Sequence, residues 1–260
     1  MDRPPKMRYC IKCVYPASSA VPLAFDEHGI CSGCRTGSER TEIDWNKRRQ
    51  MLAELTEEYR SKDGKNYDCI IPVSGGKDSY FQTHVIKNVL GLNPLLVTYH
   101  GYNYLPVGLE NLQNMREVFG VDHIFFTPSI EVLKKLNRIG FKLMGDMNWH
   151  CHAGIFTYPI RIAVQMKIPL MIWGEHGFMD LGGMHSYKDF VEFTYRYRHE
   201  HNLRGFEWPD MTDDGLAKLG RPELAEGLVA KNLIPWMYPS DEEIKTVGVR
   251  GIFISNYLRW

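Results

Sequence analysis

The stretch that decides the fold is "IIPVSGGKDSYFQTHV", Ile70 to Val85. A short apolar run stops at Ser74-Gly75-Gly76, and Lys77-Asp78-Ser79 opens a segment with helical character. A strand, a glycine turn and a helix in that order present the free N–H groups of a helix N-terminus to an anion. Gly75 and Gly76 let the backbone approach a phosphate and adopt the positive φ of an anion-binding nest. Ser74 and Ser79 offer hydroxyls, and Lys77 adds a point charge. Asp78 is a poor phosphate ligand but a good Mg²⁺ ligand, and Mg²⁺ bridges carboxylates to phosphates. The spacing is neither the GxxxxGK[ST] loop nor GxGxxG.

Outward from this turn, strand and helix signals alternate. Strands are expected over 67–73, 93–100, 122–128 and 168–177, and helices over 78–90, 107–119, 129–140 and 154–167, with Pro159 a local irregularity. Apolar strands alternating with amphipathic helices predict an α/β fold, a doubly wound, mostly parallel Rossmann-like sheet. Ligands in such sheets bind beyond the carboxyl ends of the strands, near the topological switch point. The loops opening at Ser74, His100 and Gly174 are therefore expected to share one cleft. Upstream, Ile43, Met51, Leu52, Leu55 and Tyr59 fall near one helical face that Gly64 ends. Downstream, "DFVEFTYRYRHEHNLRGFEW" (189–208) reads as an aromatic-rich helix, and "YPSDEEIKTVGVRGIFISNYLRW" as a short helix followed by a strand. The expected domains are a cysteine module over 1–40, a linker helix over 41–65 and the α/β domain over 66–260.

Hydrophobic residues make up 44% and charged residues 24% of the 260, which is ordinary for a globular protein. Lys+Arg and Asp+Glu number 31 each, so the basic excess of a nucleic-acid binder is missing. No apolar run approaches the 18 residues of a membrane span, and "MDRPPKMRYC" has no secretory h-region. A cytoplasmic protein is expected.

Four of the six cysteines form two Cys-x-x-Cys pairs, Cys10/Cys13 and Cys31/Cys34, with 17 residues between them. That spacing suits a closed tetrahedral Cys₄ zinc site of structural role. Redox disulfides and an iron–sulfur cluster are the competing readings. Farther on, "GDMNWHCHAGIFTYP" (145–159) gathers Asp146, Asn148, His150, Cys151 and His152, and "WGEHG" (173–177) places Glu175 and His176 after a strand. His150 and His152 are candidates for substrate contact or proton transfer. Cys151 reads equally as a nucleophile at a helix start or as an inert small residue.

The SGGKDS turn matches the PP-loop signature SGGxDS of ATP pyrophosphatases, which adenylylate a carbonyl-type oxygen and release pyrophosphate. Over nearly the whole chain, "YCIKCVYP", "FDEHGICSGC", "VSGGKDSYFQTHVIK", "LLVTYHGYNYLPVGLENLQNMREVFG", "VLKKLNRIGFKLMGDMNWHCHAG", "PLMIWGEHG", "YPSDEEI" and "VRGIFISNY" resemble the N-acetyl sugar amidotransferases of bacterial surface-polysaccharide and nonulosonic-acid pathways. The resemblance is strongest to the branch acting on O-antigen (lipopolysaccharide) acetamido sugars. It implies conversion of an acetamido group, on a sugar expected to be nucleotide-linked, into an acetamidino group, with ATP, Mg²⁺ and structural zinc. It assigns Ser74, Gly75, Gly76, Lys77 and Ser79 to phosphates and Asp78 to Mg²⁺. Thr98, Tyr99 and His100 end the strand where related proteins hold adenine through backbone groups. Gly174 belongs to the nucleotide side, and Glu175 is a candidate for Mg²⁺ or for orienting ammonia. Members usually continue past the position matching Trp260, so a C-terminal tail is expected to be missing. The chain has no Cys at position 2 and no GxGxC turn for a glutaminase of its own. The resemblance implies a separate glutaminase and a barrel-like ammonia-delivering subunit. The alternative is a PP-loop tRNA sulfur transferase, which normally needs cysteines beyond Cys69 and Cys151. A third reading is a nucleotide-binding scaffold without activity.

Overall fold

The computed structural model describes residues 6–18, 23–180 and 182–259. The chain forms two compact units. One comprises Met1–Leu55, Trp173–Glu192 and Phe253–Trp260, the other Thr56–Ile172 and Phe193–Ile252.

The larger unit is built on a five-stranded sheet of β1 (Cys69–Pro72), β2 (Pro94–Tyr99), β3 (His123–Phe126), β4 (Leu170–Trp173) and β5 (Arg250–Phe253) in the order β3-β2-β1-β4-β5. β1 pairs in parallel with β2 from Cys69↔Pro94 to Pro72↔Val97, and with β4 at Ile70↔Met171. β2 pairs in parallel with β3 from Leu96↔His123 to Tyr99↔Phe126. The Arg250 N–H donates to Pro169 O at 2.7 Å and brings β5 alongside β4. The chain thus starts in the middle of the sheet, winds out through β2 and β3, and returns to the other side of β1 at β4. The direction of winding reverses between β1 and β4, which is the switch point of a doubly wound α/β fold.

Residues Cys69 to Ile71 and Leu95 to Val97 are buried, as strands covered on both faces require. The crossovers are α3 (Lys77–His84), continued by a π turn at Val85–Val89, and α4 (Pro106–Phe119). Pro106 starts α4 with a preset φ, and Gly120 ends it in the left-handed conformation at φ 57°. The return to β4 runs through α5 (Ile130–Met144) and α6 (Trp149–Met166), which holds Pro159 without ending there.

Of the expected helix over 189–208, only residues 195–202 are helical. Residues 193–211 contain a π turn at Tyr197–Asn202 and a 3₁₀ turn at Trp208–Met211. The cause is tertiary. Phe193 bridges to Gly251 beside β5, and Arg198 is 0% exposed. Its guanidinium donates to Glu207 at 2.5 and 3.0 Å and to Thr157 Oγ1 of α6 at 3.0 Å. One buried ion pair with all its partners fixes this backbone more strongly than helix propensity does. Next comes a run of short turns around α8 (Asp213–Lys218), in which Leu203, Met211, Leu216, Leu228, Leu233 and Trp236 pack with Leu136 and Ile139 of α5 and Trp149 of α6. A capping box at Ser240 and Glu243 starts α9 (Asp241–Val247), which precedes β5 as the sequence suggests.

In the smaller unit, α1 (Ser32–Glu39) begins at the second cysteine pair, and α2 (Trp45–Glu58) carries the expected helix, shorter at its C-terminal end than Gly64 suggests. Ser32 Oγ donates to Gly182 O at 2.6 Å. Glu39 Oε2 accepts from Ser186 Oγ at 2.6 Å and from Tyr187 N at 2.9 Å. Arg48 of α2 donates to Asn256 O at 2.8 Å and to Tyr187 O at 2.9 Å. The cysteine module and residues 173–192 are thus one packed body. Among the described residues, no helix is long and apolar enough to cross a membrane.

Candidate functional site

The SGGKDS turn leaves the carboxyl end of β1 and opens α3, at the switch point. Gly75 takes φ +77°, and a Cβ there would lie 2.9 Å from the backbone of Leu112 in α4, so only glycine fits. The turn is closed internally: Ser74 N donates to Ser79 Oγ at 2.9 Å, and the two hydroxyls stand 3.4 Å apart. Thr83 Oγ1 donates to Ser79 O at 2.8 Å. Ser79 is buried, while Ser74, Gly76 and Lys77 are exposed. The Lys77 ammonium pairs with the Asp78 carboxylate beside it, and both groups face solvent. The result is a closed glycine turn carrying one exposed cation and one carboxylate, the residue types that suit phosphates and a Mg²⁺ ion.

The end of β2 supports the turn from one side. Thr98 Oγ1 donates to Val73 O at 2.6 Å and lies 2.9 Å from His123 Nε2. The hydroxyl proton is committed to Val73, so the imidazole must donate its Nε2–H to Thr98. Burial first, and then Arg116, lower the pKa of His123 to about 4, which keeps its ring neutral in this role. The His100 N–H donates to Phe126 O at 2.8 Å. The Thr98 and Tyr99 side chains are buried, so any contact they make to a ligand is through the backbone.

The middle cluster separates into two parts. With the Asn137 amide oriented to satisfy both its ends, its nitrogen donates to His150 Nε2 at 3.0 Å and to Met147 O at 2.7 Å. His150 Nδ1 then donates to Tyr99 Oη at 3.3 Å. His150 is buried, its pKa lowered to about 4 chiefly by desolvation, and both ring nitrogens are engaged inside the protein. His152 is different: its side chain is 43% exposed, and its Nδ1 lies 3.1 Å from the Asp146 carboxylate, whose side chain is 11% exposed. This is a carboxylate-oriented imidazole open to solvent. The Cys151 thiol is pushed up by burial and then by Asp146, so it stays protonated at neutral pH.

Gly174 and Glu175 belong to the smaller unit, where Glu175 is exposed. The neighbouring His176 is buried; its backbone N–H donates to Ser255 Oγ at 3.2 Å, and its Nδ1 accepts from Met179 N at 3.1 Å. The sequence reading gives a role to Glu175 alone; His176 holds a turn.

In the same unit Cys10, Cys13, Cys31 and Cys34 converge, with all four sulfur atoms within 4.8 Å of one another and none in a disulfide. The Sγ distances are 3.9 Å for Cys10–Cys34 and 3.7 Å for Cys13–Cys31. Four sulfurs at 2.3 Å around one tetrahedral ion would stand about 3.8 Å apart. Backbone N–H groups of Lys12 and Cys31 point at Cys10 Sγ at 3.4 and 3.3 Å, and that of Cys34 at Cys31 Sγ at 3.4 Å, as metal-bound thiolates require. The cluster fits zinc. It has no place for a fifth protein ligand among the described residues and needs none.

Two features escaped the sequence reading: the Asp146 partner of His152, and the side chain of His100. The i, i+6 spacing of Asp146 and His152 across a helix start was the signal for the first. The second had none, because burial of a loop histidine depends on residues far away in the chain.

No family model matches the chain. An uncharacterised protein of Methanocaldococcus jannaschii is 27% identical over 113 residues, which is 44% of this chain and 40% of that relative's length. Among solved structures, the NH3-dependent NAD synthetase from Campylobacter jejuni, in complex with the nitrate ion, is similar with a TM-score of 0.40 and 14% identity, over 79% of this chain and 92% of that one. The fold class defined by the strand order and register above is a doubly wound α/β protein with a four-cysteine module.

Proposed function

We propose that the chain is a PP-loop ATP-dependent amidotransferase that converts a sugar acetamido group to an acetamidino group in bacterial surface-polysaccharide synthesis. The observation that carries this reading is the SGGKDS turn itself, closed by Ser79, fixed by Gly75 and placed at the switch point.

In this reading the nest of Ser74, Gly75 and Gly76, with Lys77 and Ser79, grips the pyrophosphate end of ATP, and Asp78 holds Mg²⁺. A Mg²⁺ ion held there by Asp78 would supply charge neutralisation to the pyrophosphate. The backbone of Thr98 to His100 takes the adenine. The amide oxygen of the substrate attacks the α-phosphorus, the bond to pyrophosphate breaks, and an O-adenylyl imidate forms. Ammonia then adds to the imidate carbon, a proton leaves the new nitrogen, and AMP departs with its oxygen. Positioning and charge stabilisation are the protein's part in both steps. We assign proton transfer to His152, oriented by Asp146, because the nitrogens of His150 are occupied within the fold. Zinc is held by Cys10, Cys13, Cys31 and Cys34 and is structural. Ammonia comes from a separate glutaminase through a second, barrel-like subunit, as the family resemblance implies.

The sulfur-transfer alternative needs a thiolate. Cys69 is fully buried within β1, and the Cys151 thiol is pushed up rather than down. Both observations favour amidation. The deciding experiment is AMP formation from MgATP and ammonium chloride across a panel of UDP-linked acetamido sugars and nonulosonic acids. Sugar-dependent AMP and pyrophosphate are expected. AMP formation with none of them, alongside turnover on a tRNA with a sulfur donor, defeats the reading.

A further inference from the structure

A single exposed apolar side chain is ordinary; a contiguous group is not. The first cysteine knuckle, in the smaller unit, carries such a group. Met7 is 44% exposed, Tyr9 55%, Ile11 70%, Val14 72% and Tyr15 43%. The backbone gathers them. Tyr9 pairs antiparallel with Pro16, Cys10 N donates to Tyr15 O at 2.9 Å, and Val14 N donates to Cys10 O at 2.9 Å. Residues 9–16 are thus a tight hairpin. The sulfurs of Cys10 and Cys13 are committed to the four-cysteine cluster, which leaves Ile11, Lys12 and Val14 as the outer side chains of the tip.

Val14 is the residue that needs explaining. It lies in the left-handed region at φ 56°, which glycine adopts freely and a β-branched residue adopts only under strain. It is also the most exposed of the five. A side chain that strains the backbone and faces water adds nothing to the folding of the knuckle, and strain of this kind persists where function uses it. The charge around the tip is one-sided. Lys6, Arg8 and Lys12 are exposed, and residues 6–18 contain no acid. Arg8 is braced against the second knuckle, its guanidinium 4.7 Å from the centre of the Phe25 ring and donating to Asp26 O at 3.2 Å. There Asp26 pairs with Arg35 at 3.7 Å, so Glu27, beside His28, is the one exposed carboxylate of that turn.

We propose that this hairpin tip docks the chain on an anionic lipid bilayer. Ile11 and Val14 enter the boundary between headgroups and acyl chains, Tyr9 and Tyr15 lie at the interface, and Lys6, Arg8 and Lys12 meet lipid phosphates. Three features select this partner. The most exposed side chains are aliphatic and cannot stack on bases, which argues against single-stranded nucleic acid. A stable protein interface takes about 20–30 residues a side, and this group is one short hairpin. The cations flank the apolar tip, and a fluid, negatively charged surface complements both at once. The attachment is peripheral and independent of the reaction proposed above.

The test is flotation of the full, zinc-loaded chain with phosphatidylcholine vesicles and with vesicles that also contain phosphatidylglycerol, at low and high salt. Binding to the anionic vesicles, weakened by salt, is expected. Val14→Gly should relieve the strain, keep the zinc and hold or raise the thermal midpoint. It should nonetheless bind those vesicles about ten-fold more weakly, the loss of one buried Val side chain. Ile11→Ser, with zinc content as its control, is the second variant and should show the same loss. Lys12→Glu should weaken binding more at low salt than at high. Failure of the parent to bind anionic vesicles overturns the proposal, as does equal binding of neutral and anionic ones. Undiminished binding in both Val14→Gly and Ile11→Ser has the same consequence. Binding of single-stranded RNA in place of vesicles, lost in Val14→Gly, would assign the tip to nucleic acid and end the membrane reading.

Discussion

Lys77 and Asp78 stand side by side at the mouth of the turn, paired to each other. A nucleotide carrying Mg²⁺ would draw them apart, the ammonium to phosphate and the carboxylate to the ion. Asp78→Ala and Lys77→Ala are each expected to abolish pyrophosphate release while leaving zinc content and thermal midpoint unchanged, since neither side chain is part of the core. Full activity in Asp78→Ala would remove the metal role. Two desolvated histidines, His150 buried and His123 half-buried, make a separate prediction. His123 and His150 both sit near pKa 4 in the folded chain, against about 6.5 unfolded. Between those values the unfolded state binds more protons, so stability rises with pH. Their contribution is complete above about pH 6.5 and is lost as pH falls toward about 4. The urea midpoint should therefore be lower at pH 5 than at pH 7.5, and His150→Gln should flatten that slope. At this scale the turn was legible because six consecutive residues carry it. The tautomer of His123 and the enclosure of His100 were not, because both depend on strand partners that no local pattern names.

Among the elements, the two cysteine knuckles and the 193–211 segment behave oppositely. The knuckles could be read from spacing alone, because four ligands at fixed separations satisfy one small ion whatever lies between them. Cys13→Ser is expected to lose the metal measured by atomic absorption, about one zinc per chain in the parent, and to lower the thermal midpoint of the α1–α2 body. The 189–208 stretch reads as an aromatic-rich helix and is helical only over 195–202, because Arg198 and Glu207 must meet in the interior. Glu207→Gln leaves a buried guanidinium without its counter-charge, and a loss of about 3–5 kcal/mol in urea unfolding is expected. A double replacement, Arg198→Met with Glu207→Leu, should recover much of it if the pair's role is to specify this backbone. The strands were legible for a simpler reason: two covered faces demand continuous apolar runs.

For the molecule as a whole, the expected division of labour is that this chain uses nitrogen and does not release it. The pure protein should form AMP with ammonium chloride and remain inactive with glutamine, until a glutaminase and its delivery subunit are added. AMP formation on glutamine by the chain alone would mean that the ammonia is generated within it. The strand order has one more consequence, for synthesis. β1 is central, yet it is made first, and its partners arrive in two instalments. β2 and β3 follow it closely and can pair while the rest of the chain is still on the ribosome. The opposite edge of β1, whose flanking side chains are apolar, waits for β4 to emerge after α5 and α6, and β5 is made later still, after α9. Non-local parallel pairing of this kind is slow, and exposed apolar edges aggregate. The nascent protein is therefore most vulnerable between the synthesis of β3 and that of β4, with half a sheet built and its middle strand still bare on one side.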